Sequence, residues 1–529
     1  MGKDSQPERG RTVFYQLRKQ LAHDPDKEAV YDGRRRLTYK QLLQEIEAAA
    51  SGLLQLGIQE GDKIITALPN GSEFISIFLA LTKIGAILIP CNPACREKEW
   101  DDIFSRITIQ AVFCKSSDVN IRYFKKQQKA DRLDHIICVR SRQAEHKELF
   151  SFDDLVKNGT KLSGCPCINT DGTETAVILF TSGTTGEPKG VMLSHNNLLF
   201  SAINIKNNLH CTRNDVFYVP VPVFHVFGLI PGILTSLFSG GKIVFSESFH
   251  ADQSLRLLQK EQVTVHYGVP AMFILEMNHP DFKKIKPNQL RTGLIAGAPC
   301  PVEVVKKIRS DMHCNIIVSY GATETSGGVT FTDFNDDDDH RSRSVGRVTR
   351  ETQIKIINKQ RTEVPTNSVG ELACRGAGVM KGYFQMPDHP AFDSNGWFFT
   401  GDLAKMDNRG YLYIVGRRKE MIIRGGYNVF PWELEMLYHA HPAVEEVCII
   451  GLPDTVLGEV ICAVIKIKSD YQMAVSAESL KNYLKNKVAS YKVPDHIFFI
   501  DRFPLNGVGK IDKNALREEC IHDLKGVLR

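Results

Sequence analysis

Ten residues, Thr181-Ser-Gly-Thr-Thr-Gly-Glu-Pro-Lys-Gly190, gather four hydroxyls (Thr181, Ser182, Thr184, Thr185), three glycines (Gly183, Gly186, Gly190) and Lys189. Glycines let a backbone approach a phosphate closely. Exposed amides and hydroxyls then donate to its oxygens, and a lysine adds a full positive charge. The apolar stretch 177–180 before the loop reads as a strand, and Ser194 after it reads as a helix N-cap. A loop of this density, directly after a strand, is expected to grip a polyphosphate. It is not a Walker A loop, because no G-x-x-x-x-G-K-[ST] can be laid on it, and it is not a Rossmann fingerprint. Three further places carry reactive types: Thr323-Glu324, His225 in Phe224-His-Val-Phe-Gly228, and Lys510 at the end of Pro504-Leu-Asn-Gly-Val-Gly-Lys510.

These residues need a scaffold, and the apolar pattern predicts one. Residues 39–56 have helical spacing and stop at Gly57. Residues 63–67 read as a strand, 73–85 as an apolar helix and 87–90 as a buried strand. Alternating strands and helices imply a parallel or mixed sheet covered on both faces, hence an α/β fold. The pattern recurs through 175–205, 216–248 and 262–320. After about residue 340 the character changes. Short strands with Gly and Pro turns (353–357, 370–374, 411–415) predict a β-rich subdomain over 345–415. Beyond Lys419 a smaller α+β segment is expected, with a helix at 431–439, strands at 444–451 and 460–467, and a helix at 477–489 capped by Ser476. The junction is placed at Gly416-Arg-Arg-Lys-Glu420, giving a large domain 1–418 and a small one 419–529.

The 529 residues exceed one ordinary core, so more than one domain is the default. A net charge of +5 from interspersed signs gives nucleic-acid binding little support. The acidic run Asp336–Asp339 reads as a solvated loop rather than a metal site. Thirteen scattered cysteines without zinc-ribbon spacing, and no signal peptide, fit a reducing compartment. No apolar run of about 18 residues exists, so no transmembrane helix is expected. A cytoplasmic location is the expectation.

The segment Ile178-Leu-Phe-Thr-Ser-Gly-Thr-Thr-Gly-Glu-Pro-Lys-Gly-Val191 resembles the signature of the adenylate-forming superfamily: acyl-CoA synthetases, adenylation domains of peptide synthetases, and beetle luciferases. Further matches follow in the family's order: Tyr320-Gly-Ala-Thr-Glu-Thr325, Thr400-Gly-Asp402, Gly416-Arg-Arg-Lys-Glu420 and the Lys510 loop. The resemblance runs from Leu37-Thr-Tyr39 to the end of the chain.

It implies activation of a carboxylic acid by ATP and Mg²⁺ as an acyl-adenylate, and then transfer to coenzyme A. Carboxylate attack on the α-phosphate brings two anions together, so cations and oriented donors should lower the barrier. By resemblance, Lys510 bridges carboxylate and α-phosphate, Thr323 holds the α-phosphate, and Glu324 holds Mg²⁺. Asp402 and Arg417 hold the ribose hydroxyls. Gly297-Ala-Pro299 and Tyr320-Gly321 flank adenine, and the 181–190 loop grips the departing pyrophosphate. Lys419 is the hinge about which the small domain alternates between two settings, and Gly425-Gly426 line the thiol tunnel. His225 lies beside the acyl carboxylate, with Phe224, Phe227, Gly228 and Gly328 around the acyl chain. No acidic residue matches the one that anchors an α-amino group. The acid is therefore expected to be a medium- or long-chain fatty acid, or alternatively an aryl acid. A carrier protein in place of CoA, nucleotide binding without turnover, and a luciferase-like reaction are the competing readings.

Overall fold

The computed structural model describes residues 12–115, 120–140, 149–160, 171–181, 188–285, 289–298, 300–471, 475–505 and 511–527. They form a mixed α/β protein of two compact units. One is Met1–Gln353 with Arg375–Phe398, and the other is Ile354–Cys374 with Phe399–Arg529. In this division the β-rich segment is shared: 354–374 and 399–415 group with the C-terminal part, and 345–353 and 375–398 with the first unit.

The first unit holds two large sheets. Among the described residues, one sheet has nine strands. Six of them run parallel: Asn315–Ala322, Thr292–Ile295, Val265–Gly268, Val216–Val219, Lys242–Phe245 and Glu28–Tyr31, in that spatial order. Gly327–Phe331 and Arg347–Val348 extend it antiparallel on one side. The other sheet has eight strands. Thr175–Thr181 joins Ile87–Pro90, Lys63–Ala67, Ile109–Lys115 and Leu133–Val139 in parallel. Lys189–Ser194 and then Gly382–Tyr383 are added antiparallel at its edge.

Helices form where the sequence supplies caps and stops. Tyr39–Gln55 starts at a capping box, in which Thr38 and Gln41 each accept the other's backbone N–H. It ends before Gly57, whose φ of 86° suits a residue without a Cβ. Ser72–Ile84 is buried along its whole length and stops at Gly85, φ 74°. Its Phe74, Ile75, Ile77 and Phe78 are the kind of side chain whose burial stabilises by about 1.5–3 kcal/mol each.

The second unit has a four-stranded sheet (Thr352–Ile357, Gly370–Gly376, Phe398–Met406, Leu412–Arg417). It also has a five-stranded sheet built on the long hairpin Val444–Asp454 with Gly458–Ile467, packed against Pro431–His439 and Lys513–Val527.

Two expectations need correction. The helix expected over 477–489 is Ala477–Lys485, because Asn486 closes it and Ser490–Lys492 forms a separate 3-10 turn. The acidic run is the start of a helix rather than a loop, although Asp337 and Asp339 are exposed as expected. Asp337 caps the helix Asp338–Arg343 by accepting the His340 N–H. Asp338 pairs with Arg309, and Asp336 is buried with its carbonyl taking a bond from Arg341 Nε at 2.8 Å. The negative charges sit at the positive end of a helix.

Candidate active site

In a parallel sheet, ligands bind outside the carboxyl ends of the strands. Sequence-expected residues of the first unit leave the nine-stranded sheet at such ends. After Val216–Val219 the chain runs to Phe224 and His225. After Thr292–Ile295 it reaches Gly297 and Ala298, both exposed, with Gly297 at φ 85°. Asn315–Ala322 carries Tyr320 and Gly321 and leads into a 3-10 turn, Thr323–Thr325. Thr325 holds that turn: its hydroxyl accepts the Ala322 N–H at 2.9 Å and lies 3.0 Å from Gly327 O. Gly321 must be glycine, since a Cβ there would lie 1.5 Å from Gly327 O.

The segment before His225 is pinned by Asn70. Asn70 is buried, donates to Val219 O (3.2 Å) and Val221 O (3.1 Å), and accepts from Val223 N (2.9 Å). The chain then forms a π-helix, Gly228–Thr235, with every residue buried. Wide turns of this kind recur at functional sites. Gly228 packs so tightly that a Cβ would lie 2.1 Å from Pro222 O. Phe224 and His225 rings are 4.7 Å apart, and Phe227 lies 6.2 Å from Tyr267. Gly328 is required by packing, as a Cβ would meet the Phe331 ring at 2.2 Å.

The phosphate-loop strands pair antiparallel, Phe180 opposite Gly190 and Thr181 opposite Lys189. Ser194 caps His195–Asn208 through a box with Asn197, as expected. Lys189 Nζ lies 2.8 Å from His389 Nε2 and 5.2 Å from the centre of the Tyr383 ring. Tyr383 in turn donates its hydroxyl to Glu324 Oε1 at 2.9 Å. Burial, and then the Glu324 charge, push the Tyr383 phenol well above its ordinary range, so it stays a donor. The structure therefore joins Lys189 to Glu324 through Tyr383. Nothing in residue type marked Tyr383 or His389. Their place follows from the short strand Gly382–Tyr383 pairing with Met192 and Val191.

The second unit carries its own set. Asp402 and Arg417 face each other across a strand pair, with Arg417 Nε 3.4 Å from Asp402 Oδ1. Asp402 N donates to Thr400 Oγ1 at 3.1 Å, and that hydroxyl donates to Leu372 O at 2.8 Å. Lys419 is exposed. Gly425 and Gly426 are the two central residues of a tight hairpin, with φ 57° and 84° and Arg424 opposite Tyr427. Positive φ at both positions is what such a two-residue turn requires, which is a reason for glycine independent of any tunnel. Ser182, Gly183, Thr184, Thr185, Gly186, Pro299 and Lys510 lie outside the described residues.

Comparison with known proteins fits this picture. A family described as AMP-binding enzyme matches residues 17–384, and the AMP-binding enzyme C-terminal domain matches 433–510. A Bacillus subtilis (strain 168) protein, provisionally named acyl-CoA synthetase YngI, is 36% identical over 524 residues, covering 94% of this chain and 95% of that one. The mitochondrial medium-chain acyl-CoA ligase ACSF2 of Mus musculus is 34% identical over 533 residues, covering 95% and 86%. ATP-bound MatB from Rhodopseudomonas palustris has a TM-score of 0.86 at 27% identity, covering 96% of this chain and 98% of that chain. Fold and matches together define an adenylate-forming enzyme. The chain belongs to the AMP-binding enzyme family and is an enzyme of its acyl-CoA synthetase class. Among the described residues, no helix is long and apolar enough to cross a membrane.

Proposed function

We propose that the protein activates a medium- or long-chain fatty acid with ATP and transfers the acyl group to CoA. In the first step a carboxylate oxygen attacks the α-phosphorus, a P–O bond forms, and pyrophosphate leaves. In the second the CoA thiolate attacks the acyl carbonyl, a C–S bond forms, and AMP leaves. One observation carries the nucleotide half. Thr323-Glu324, Gly297-Ala298 and the His225 segment leave one sheet at carboxyl ends of parallel strands, and Lys189 reaches Glu324 through Tyr383.

Among the described residues Lys189 makes no ion pair with a carboxylate, so its charge is available to a phosphate. Among the same residues no group of three or more His, Cys, Asp or Glu is arranged to hold a metal. Mg²⁺ needs no such cage, because it binds through one or two carboxylates plus substrate phosphates and water. Glu324, with Oε1 fixed by Tyr383, fits that demand. When bound, the ion would neutralise phosphate charge. Asp402 offers two acceptor oxygens to a ribose diol, with Arg417 beside it. Lys510 supplies the cation between carboxylate and α-phosphate, and Lys419 is the hinge at the junction of domains 1–418 and 419–529.

The acid is argued from the apolar, glycine-packed helix after His225 and from the medium-chain ligase relative. Aryl substrates are the second reading, because an anthranilate CoA ligase shares the fold at 22% identity and a TM-score of 0.88. The deciding measurement is pyrophosphate release across fatty, aryl and amino acids, with and without CoA. Two variants test the roles. Lys510→Ala should abolish adenylate formation and leave thioester formation from supplied acyl-adenylate. Gly426→Leu should do the reverse, and Gly426→Asn, which tolerates the positive φ of the turn yet adds a side chain, separates a blocked tunnel from a strained turn. Equal loss of both half-reactions in Lys510→Ala rules out its assigned role. Aryl acids outrunning every fatty acid would replace the substrate, and thioester formed only on a carrier protein would replace CoA.

A further inference from the structure

His389 lies in the segment after the Gly382–Tyr383 strand, and no function has yet been given to it. Its Nε2 is 2.8 Å from Lys189 Nζ, its ring stands edge-on to Tyr383 at 4.6 Å, and its Nδ1 is 3.2 Å from the Ala391 N–H. An ammonium is a donor only, so the ring facing Lys189 must offer a lone pair and be neutral. Both ring nitrogens face donors, yet neutral imidazole has a single acceptor nitrogen. One of the two contacts must give way at any moment, which makes this a loose hold on Lys189. Among the described residues, the titratable groups facing His389 are Lys189 from the strand Lys189–Ser194 and Tyr383 from its neighbour, with Glu324 beyond the Tyr383 hydroxyl. Burial, and then the Lys189 charge, hold the imidazole below its ordinary range.

An anion arriving at Lys189 changes the balance. It cancels the lesser of the two influences that keep the ring neutral, the Lys189 charge, and it offers an acceptor to Nε2. We propose that His389 is a second, conditional cation of the phosphate site: when the polyphosphate of ATP takes up the Lys189 charge, the imidazole takes a proton from solvent and donates to the same anion. The weak Ala391 contact is lost in exchange for a charge-assisted bond. The proposal rests on the reading of Lys189 as a phosphate ligand given above. It makes ATP binding proton-linked, with tighter binding as pH falls through the range in which the bound ring protonates. A merely structural histidine gives no such linkage.

The test is calorimetry of Mg·ATP binding to the full chain, without acid or CoA. It is run between pH 8 and pH 6 in buffers of different ionisation enthalpy. The wild-type protein should take up more protons than His389→Gln, by at most one. The ratio of its affinity to that of the variant should rise about three- to tenfold over this range, since one linked proton changes affinity by at most tenfold per pH unit. His389→Lys, a permanent cation, should bind without that pH dependence. Melting curves establish that each variant is folded. Equal proton counts and a flat affinity ratio overturn the proposal. Lys189→Ala separates the two readings. If it binds ATP as tightly as wild type, the phosphate role of Lys189 falls. If it binds weakly while the His389→Gln ratio stays flat, only the role of His389 falls.

Discussion

The Tyr383 hydroxyl donates to Glu324 Oε1 at 2.9 Å, from a strand that pairs with the chain directly after the phosphate loop. Two residues 59 apart in sequence are thereby fixed to each other. The bond leaves Oε2 of Glu324 for another partner and sets which way the carboxylate faces. Tyr383→Phe keeps the ring under Lys189 and deletes only the donor. A hydrogen bond to a charged group contributes about 1.5–3 kcal/mol. The Mg²⁺ concentration for half-maximal adenylation should rise by roughly tenfold, and the melting temperature should fall by about a few degrees. A magnesium titration within twofold of wild type would remove Tyr383 from the site.

Asn70 yields a second prediction, about the acid rather than the nucleotide. Its three bonds fix Val219, Val221 and Val223, and the chain then turns to His225. Asn70→Ala strands a buried Val223 N–H and two carbonyls. The cost is about 2–4 kcal/mol of stability, given roughly 1–3 kcal/mol for each orphaned buried group and partial relaxation. If His225 stands beside the acyl carboxylate, KM for the acid should rise about tenfold and KM for ATP should stay within twofold. An equal rise in both, measured by initial rates of pyrophosphate release, would mean that the Asn70 turn does not serve the acid pocket.

What the sequence made legible follows from how local the signal was. The elements at 63–67 and 87–90 match their strands residue for residue, and the helices at 39–56 and 73–85 match to within one residue at each end. In the two helices apolar period and a stop glycine (Gly57, Gly85) agree, and Thr38 also caps the first. The 477–489 helix ran long because its apolar period continues past Asn486, where backbone geometry ends it. The π-helix after His225 is, in sequence, an apolar stretch interrupted by Gly228 and Gly232, and helical pitch leaves no mark on residue type. Glu324 was readable from its motif. Tyr383 and His389 were not, because their contribution depends on which strand pairs with the end of the phosphate loop. That pairing spans about 190 residues of chain (Met192 with Gly382) and is set by the fold alone.

His195 gives the last prediction, on stability against pH. It opens the helix capped by Ser194, is 1% exposed, and accepts the Val13 N–H through Nδ1 at 3.2 Å. Burial alone pushes its imidazole down to about 4. The unfolded chain, with an ordinary histidine near pH 6.5, binds the proton first. Stability from this residue is therefore complete above about pH 6.5. It declines as pH falls and levels off below about 4, where both states are protonated. The span corresponds to roughly 3 kcal/mol. Protonation also sets an N–H against the Val13 N–H, so the first helix, Val13–His23, should loosen in the same range. His195→Asn retains an acceptor and cannot titrate. At pH 7.5 the variant should melt below wild type, because a smaller side chain fills the site. Toward pH 4.5 the gap should close or reverse. A gap that stays constant between pH 7.5 and pH 4.5 would show that His195 does not set the acid sensitivity of this unit.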